Sequence, residues 1–314
     1  MSEKLTPLMV ICGPTAVGKT QMALELAEEF PALEVISADS RQIFRYMDIG
    51  TAKPTLEERE RLPHHFIDVV DPDEEYSAGI FGRDARKKVR NLYAAGRLPV
   101  VVGGSGLYIR SLVDGLFQGN VRDPEVKKRL RERADQEGLA SLYAELQRVD
   151  PPAANRLHPN DLQRILRALE VFYVSGERMS DLHRRNQPET GIQPLFFALD
   201  RPRSELYRAI ERRVDRMLAG GLLDEVENLR RMGYGRELQS QKTVGYRELH
   251  AYLDGEIPFA EAVRLIKRNT RRFAKRQLTW FRRDGRIRWL VVEGEESWRQ
   301  ARRVLSGALR SLLR

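Results

Sequence analysis

Short apolar runs alternate with amphipathic stretches in the first and last thirds of the chain. Runs rich in Val, Ile and Leu predict strands that are buried on both faces, as in a parallel sheet. Apolar residues that recur at helical spacing predict the helices between them. This order of elements predicts an α/β fold, a parallel sheet flanked by helices. The predicted strands cover residues 8–12, 34–37, 98–102, 194–200 and 287–292, and the main helices residues 21–30, 79–96, 203–219 and 297–314.

The middle of the chain has a different pattern, in which charged helical stretches replace the strand-like runs. Asp123 and Pro124 predict a helix start, because Asp caps a first turn and Pro fits its first position. Further helices are predicted at residues 139–149 and, capped by Asn160, at residues 161–176. We therefore expect an all-helical insertion at residues 118–188 in a core made of residues 1–117 and 189–314.

A glycine-rich loop follows the first strand and leads into a helix. Its sequence, G-x-x-x-x-G-K-T, is that of a P-loop, and the flanking strand and helix are the context that this motif needs. The backbone N–H groups and the helix N-terminus would surround a phosphate, while the lysine would reach the outer phosphates and the final hydroxyl would suit Mg²⁺. The loop does not reveal which phosphates it holds. Its residues are Gly13, Pro14, Thr15, Ala16, Val17, Gly18, Lys19 and Thr20.

Three further features are predicted to lie near this loop. Asp39 ends the second strand, and sites in open α/β sheets lie beyond the carboxyl ends of strands; it either faces a substrate or is an ordinary turn or cap residue. Gly103, Gly104 and Gly106 end the third strand where most P-loop nucleotidases carry a carboxylate, which predicts an open wall that a substrate can approach. Arg213 lies on an apolar helix stripe, and either extends to water or reaches an anion at the P-loop.

Composition limits the classes of protein that remain. A single cysteine excludes an intramolecular disulfide and a multi-cysteine zinc cluster. No apolar run approaches the roughly 18 residues that cross a bilayer, and the first seven residues do not resemble a signal peptide, so a soluble, cytoplasmic protein is expected. The adjacent residues His64 and His65 would point to opposite faces of a strand, so both are predicted to be structural.

Positive charge is concentrated near the carboxyl end. The chain has 54 Lys and Arg against 45 Asp and Glu, a net charge of +9. Residues 264–288 hold eleven basic residues and one acid, Asp284. Such an imbalance favours binding to nucleic-acid phosphates over an ordinary solvated helix face. The packed face of this helix is predicted to be Val263, Ile266, Thr270, Phe273, Gln277 and Trp280.

These motifs, taken in order, resemble those of the tRNA dimethylallyltransferases. The resemblance rests on the P-loop and on the segments at residues 36–40, 48–54, 102–108, 244–247 and 274–280, and it covers nearly the whole chain. It implies a P-loop core that binds dimethylallyl diphosphate with Mg²⁺. It further implies transfer of the dimethylallyl group to the N6 amine of the adenosine 3′ to the anticodon, in tRNAs that read codons beginning with U.

The resemblance also implies roles for individual residues. Asp39 matches the general base, Arg213 an additional diphosphate-binding arginine, Thr15 a threonine that faces the reacting centre, and Thr20 the metal ligand. The partners would be the tRNA anticodon stem-loop and the diphosphate donor, with no membrane, and the protein would be a monomer. The positions that match tRNA contacts are Asp39, Ser40, Arg41, Gln42, Ser105, Lys127, Gln163, Arg164, Ile165, Leu166, Arg167, Lys242, Thr243, Val244, Gly245, Tyr246, Arg247, Lys275, Arg276, Gln277 and Arg282.

The chain departs from the family pattern at few positions. Ser105 replaces a common threonine and keeps the hydroxyl, whereas Lys127 replaces a common arginine and loses its bidentate geometry. The zinc-finger tail of eukaryotic members is absent, so the bacterial type is expected. Two alternatives stay open: a P-loop small-molecule kinase, in which Asp39 would bind an acceptor hydroxyl, and a non-catalytic RNA-binding module.

Overall fold

The structure is a computed structural model that describes residues 5–116, 123–185 and 190–313. It divides into two compact units, one within Met1–Val113 and Thr190–Arg314 and the other within Asp114–Glu189. The sequence predicts the insertion at residues 118–188. The chain leaves and re-enters the first unit at neighbouring residues, because the Thr190 hydroxyl donates a hydrogen bond of 2.6 Å to the Val113 carbonyl.

A six-stranded parallel sheet forms the centre of the first unit, as the alternation of strands and helices predicted. Its strands lie in the order β3-β2-β4-β1-β5-β6. Strand β1 is central, pairing Met9 with Val100 on one side and with Leu195 on the other. Because all strands are parallel, their carboxyl ends meet at one edge. The strands are β1 Thr6–Cys12, β2 Leu33–Ala38, β3 His64–His65, β4 Leu98–Gly103, β5 Ile192–Asp200 and β6 Arg288–Val291.

Helices cover both faces of this sheet, and two apolar clusters, one per face, make the core. The predicted helices are confirmed to within a few residues. Three helices of this unit, α2 (Leu56–Arg61), α4 (Gly106–Val113) and α11 (Leu222–Arg231), were not predicted, and of α12 (Tyr246–Leu253) only the start was, because each is short or begins at a glycine turn. The helices of this unit are α1 Lys19–Glu29, α2 Leu56–Arg61, α3 Ala78–Ala94, α4 Gly106–Val113, α10 Arg203–Ala219, α11 Leu222–Arg231, α12 Tyr246–Leu253, α13 Phe259–Phe281 and α14 Gly294–Leu312.

The second unit is all-helical, with its own apolar core around Leu130, Leu142, Leu146 and Leu169. Asp123 caps its first helix and Pro124 begins it, as predicted. The predicted cap Asn160 is wrong, since the Asp161 carboxylate accepts the Arg164 N–H (3.3 Å) instead. The helices of this unit are α5 Pro124–Glu137, α6 Leu139–Val149, α7 Pro151–Ala154, α8 Leu162–Ser175 and α9 Met179–Arg185.

The packed face of α13 differs in part from the prediction. Ile266 and Gln277 are buried as expected, but Phe273 and Trp280 are more than a third exposed. Ala262, Ala274 and Phe281 complete the buried face. The small alanines let the helix backbone approach the core. The rings of Phe273 and Trp280 lie at the edge of this packed face and leave aromatic surface on the helix that carries the basic residues.

Candidate active site

The P-loop joins β1 to α1 at the carboxyl edge of the sheet. Its two glycines adopt positive φ, 139° at Gly13 and 108° at Gly18, which side-chain-bearing residues rarely adopt. A β-carbon at position 13 would also lie 2.6 Å from the Leu199 carbonyl oxygen of β5. Lys19 begins α1, and its Nζ donates to the carbonyl oxygens of Gly13 (3.1 Å) and Pro14 (2.8 Å). The lysine ammonium is therefore held over the loop.

Three charged residues from separate elements act on one another at this loop. Burial, and then the positive charge of Arg213 from α10, lowers the pKa of Lys19 to about 8, while Asp39 opposes that fall. Burial also lowers the pKa of Arg213, and Asp39 again opposes it. Two cations and one carboxylate thus share one electrostatic environment. Of the two alternatives for Arg213, the one in which it lies toward the P-loop fits this environment.

Asp39 lies directly after β2 and is half-buried. Its Oδ1 accepts the Arg41 N–H at 2.9 Å, so it does form the turn that the structural alternative predicted. The turn leaves the second carboxylate oxygen available for other groups. Burial lowers the pKa of Arg41 and raises that of Tyr108, and the charge of Asp39 acts on both.

The glycines after β4 do not form the open wall that the sequence predicted. A β-carbon at Gly103 would overlap the Ala38 carbonyl of β2, one at Gly104 the amide of Gln277, and one at Gly106 the indole of Trp280. The missing side chains make room for α13 and for the neighbouring strand. The expectation of an open wall is therefore wrong, because the space is taken by protein.

Ser105 stands among these glycines and ties β4 to the segment that carries Asp39. Its hydroxyl accepts the Ser40 N–H (2.9 Å) and donates to the Ser40 hydroxyl (3.2 Å). Its own N–H donates to the Ala38 carbonyl (3.1 Å). Gln42, in the same segment, donates to the carbonyls of Thr51 (3.3 Å) and Ala52 (3.1 Å). The Asp39 turn is thus fixed on both sides.

The loop at residues 47–54 is held by two charged residues. The Lys53 ammonium, whose side chain is 1% exposed, donates to the Phe44 carbonyl and pairs with Asp48 and Asp68. On the other side, Glu225 of α11 accepts the N–H groups of Asp48 (2.8 Å), Ile49 (2.7 Å) and Gly50 (3.1 Å).

Glu225 was not identified from the sequence. It also accepts the hydroxyl of Tyr246 (2.6 Å), which is fully buried against Gly50. This carboxylate therefore joins the 47–54 loop to the start of α12, where residues 242–247 match tRNA contacts. A short polar stretch in an amphipathic helix gave no signal that three of its partners would be backbone groups about 176 residues away.

Several predicted tRNA contacts lie on the surface. Lys275 and Arg276 of α13 are exposed and form no ion pair with any described residue. Other cations of the segment are paired with acids of α10 or with nearby acids: Lys267 with Asp215, Arg271 with Glu211 and Arg282 with Asp200. The exposed residues among the remaining contact positions are Lys127, Gln163, Arg164, Lys242 and Arg247.

Other predicted contact positions are buried. Ile165 and Leu166 belong to the apolar core of the helical unit, with 0% and 5% exposure. Tyr246 and Gly245 are buried at the start of α12, Val244 and Thr243 are half-buried, and Gln277 is 6% exposed. The side chains of Ile165, Leu166, Tyr246 and Gln277 are unavailable to RNA in this structure. Arg167 is half-buried and pairs with Glu170 (2.8 Å).

The described residues lack two features, a membrane-spanning helix and a cluster of metal-binding side chains. No helix among them is both long and apolar enough to cross a membrane, and no group of three or more His, Cys, Asp or Glu side chains comes together there in a way that could hold a metal. His65 pairs with Glu34 (2.7 Å) and His64 contacts the Leu62 carbonyl (2.6 Å), contacts that fit the prediction that both are structural.

Known proteins share this sequence and this fold. The IPP transferase family model matches residues 42–284. The tRNA dimethylallyltransferase of Thermotoga neapolitana is 50% identical over 285 residues, which cover 90% of this chain and 91% of that protein. The full-length tRNA isopentenylpyrophosphate transferase of Bacillus halodurans aligns with a TM-score of 0.71 and 38% identity over 98% of both chains.

A eukaryotic dimethylallyltransferase, caught crystallographically while acting on tRNA, aligns with a TM-score of 0.77 and 28% identity over 91% of this chain and 74% of that one. The family model spans well over half of the present chain, and relatives at 50% identity match nine-tenths of it. The chain belongs to the IPP transferase family.

Proposed function

We propose that this protein transfers a dimethylallyl group from dimethylallyl diphosphate to the N6 amine of the adenosine 3′ to the anticodon in tRNAs that read codons beginning with U. The observation that carries the proposal is the P-loop, whose Lys19 ammonium is held over the carbonyls of Gly13 and Pro14 and shares its electrostatic environment with Arg213 and Asp39. Two cations there suit a departing diphosphate, and the carboxylate beside them suits an amine that must lose a proton. Family membership and the names of its relatives support the same reaction.

Each bond that forms or breaks in this reaction, and the proton that is released, can be assigned to the substrates and to residues of the site. The adenosine N6 forms a bond to C1 of the dimethylallyl group as the bond from C1 to the diphosphate oxygen breaks, and the diphosphate leaves with the bonding electrons. The loop N–H groups, Lys19 and Arg213 stabilise the charge that develops on the leaving oxygen. Asp39 accepts the proton that N6 loses, which is a general-base task.

Mg²⁺ fits the oxygen donors at this loop. Mg²⁺ is usually bound by one or two protein groups together with substrate phosphates and water, and does not need a cage of carboxylates. The Thr20 hydroxyl, next to Lys19 at the start of α1, would hold it. When bound, the ion would neutralise charge on the diphosphate.

The tRNA partner is supported by the basic residues of α13. Lys275 and Arg276 pair with no acid of the described chain. The Arg276 guanidinium lies 5.8 Å from the centre of the exposed Phe273 ring, and Trp280 on the same helix is also partly exposed. Phosphates bind such cations, and unstacked bases of single-stranded loops stack on aromatic side chains. Base-modifying enzymes take the target base out of its stack, which suits an anticodon loop.

Incubation of the protein with labelled dimethylallyl diphosphate, Mg²⁺ and unmodified tRNA tests the proposal. We expect label on the adenosine next to the anticodon and release of diphosphate. A parallel reaction with γ-labelled ATP and no prenyl donor tests the kinase alternative. Phosphate transfer in that reaction, together with unlabelled tRNA in the first, would contradict the proposal.

A further inference from the structure

The side chain of Gln277 joins the P-loop to the loop that follows β4. Its Oε1 accepts the Thr15 N–H at 2.8 Å, and its Nε2 donates to the Gly104 carbonyl at 2.9 Å. The side chain is 6% exposed. Only one orientation of the amide satisfies both partners, because the reverse would face NH₂ toward N–H and oxygen toward oxygen. The two loops are therefore connected through one buried amide group.

The glycines after β4 are shaped to receive this connection. A β-carbon at Gly104 would overlap Gln277 Nε2, and one at Gly106 would overlap the Trp280 ring. Between these glycines, Ser105 binds Ser40, the neighbour of Asp39. Gln277 is thus connected to the loop proposed for the diphosphate donor directly, and to the segment that carries the proposed base through Gly104 and Ser105.

Gln277 lies on the same helical stretch as the proposed RNA contacts. Lys275 and Arg276 precede it and are exposed, whereas its own side chain points into the protein. Helix α13 therefore presents cations to the outside and a bridging amide to the inside within three residues. Because one helix carries both groups, it fixes the position of the proposed RNA-binding surface relative to the P-loop.

We propose that Gln277 is a positioning residue rather than a direct tRNA contact. It fixes the distance between the Thr15 N–H and the Gly104 carbonyl, and with it the alignment of donor and acceptor. This inference rests on the function proposed above. Reactants react fastest at near-attack distances, and a displacement of about 1 Å can cost about 10²-fold in rate. Loss of the bridge would leave the Thr15 N–H and the Gly104 carbonyl without this buried partner.

The test compares Gln277→Leu, which removes both hydrogen bonds at similar volume, with Gln300→Leu, the same change at an exposed position of α14. We measure kcat and KM for tRNA, together with amide hydrogen exchange in the peptide that spans residues 13–20. We expect kcat for Gln277→Leu to fall at least about tenfold. The KM for tRNA should stay within about threefold of the wild type, because the side chain does not reach the RNA surface, and exchange should be faster at the Thr15 amide. Gln300→Leu should match the wild type.

An unchanged kcat in a folded Gln277→Leu protein would overturn the inference, as would a rise in the KM for tRNA with kcat unchanged. If the leucine variant does not fold, Gln277→Met repeats the test with an unbranched side chain of similar length. A wild type that transfers no prenyl group would refute the proposed function instead. Wild-type transfer with equal rates in the variant would refute only the role of Gln277.

Discussion

The positive charge of Arg213 on α10 acts on Lys19 at the start of α1 and, after burial, is the largest cause that lowers the pKa of the lysine to about 8. The two cations therefore oppose one another until an anion lies between them. A diphosphate would relieve that repulsion and favour the protonated lysine. The free protein carries the Lys19 charge at neutral pH and loses it in the mildly alkaline range.

This relationship predicts how diphosphate binding depends on pH. Below about pH 8 the free protein carries protonated Lys19, so the contribution of the lysine to pyrophosphate affinity should be nearly constant; above it, that contribution should fall as the lysine loses its proton. In Arg213→Gln the like charge is gone, so the pKa of Lys19 should rise and the decline should begin at higher pH. Affinity at pH 7 should nevertheless be lower, since one cation is lost.

Calorimetric titration with inorganic pyrophosphate, in buffers of different ionisation enthalpy, measures both affinity and proton uptake. Arg303→Gln, an exposed arginine of α14, serves as the control. Identical pH profiles for the wild type and Arg213→Gln would show that Arg213 does not act on Lys19.

Loss of the Asp39 carboxylate should affect the rate and spare tRNA binding. Asp39→Ala removes the proposed proton acceptor, and loss of a general base typically costs about 10²-fold or more in rate. Single-turnover assays with excess enzyme isolate the chemical step, and filter binding gives the tRNA affinity. Asp135→Ala, at an exposed acid of the helical unit, should match the wild type in both. Equal turnover by the Asp39 variant would end this assignment.

The salt dependence of tRNA affinity should report the phosphates that α13 binds. Lys275→Gln and Arg276→Gln should each weaken binding, and each should reduce the slope of log K against log salt by about 0.7 for one phosphate that the variant no longer neutralises. The comparison is Lys267→Gln, because that lysine is already paired with Asp215 at 2.6 Å. Unchanged slopes in both exposed-site variants would exclude phosphate binding there.

Glu225 should stabilise the 47–54 loop and the start of α12, where tRNA is proposed to bind, without contacting the prenyl diphosphate. Its carboxylate accepts three backbone N–H groups and the Tyr246 hydroxyl. Glu225→Gln removes the charge and turns an NH₂ group toward these donors, which should lower the free energy of unfolding by about 2 kcal/mol. We expect weaker tRNA binding and unchanged pyrophosphate binding.

Chemical denaturation and both binding assays check the role of Glu225, with Glu227→Gln on the exposed face of the same helix as the control. If pyrophosphate affinity fell together with tRNA affinity, the carboxylate would have a wider role than holding the 47–54 loop.

Local patterns predicted the sheet because buried strands and capped helices leave signals within a few residues. The P-loop was predicted from its motif. Asp39 and Arg213 were singled out by their places after a strand and on an apolar stripe, but the local pattern left two alternatives open for each. The hydrogen bonds that connect distant elements were not predicted. Glu225 and the bridging role of Gln277 depend on partners about 176 and 262 residues away, and nothing in an amphipathic helix indicates which distant backbone groups it will meet.

The glycines after β4 also show what local sequence cannot predict. The absence of side chains there predicts room for a substrate, and the structure fills that room with Gln277 and Trp280. A sequence shows where bulk is missing, but only the packing of a distant helix shows what occupies the space.

The hydrogen bond between Thr190 and Val113 has a consequence for how this architecture can change. The polypeptide departs and returns at touching residues, so the helical segment is an excursion whose two ends are already closed. Its length is then almost neutral for the sheet, since each doubling of a closed excursion adds only about 0.6 kcal/mol of entropy cost. Such a segment can be lengthened, shortened or exchanged between homologues while the catalytic half keeps its shape.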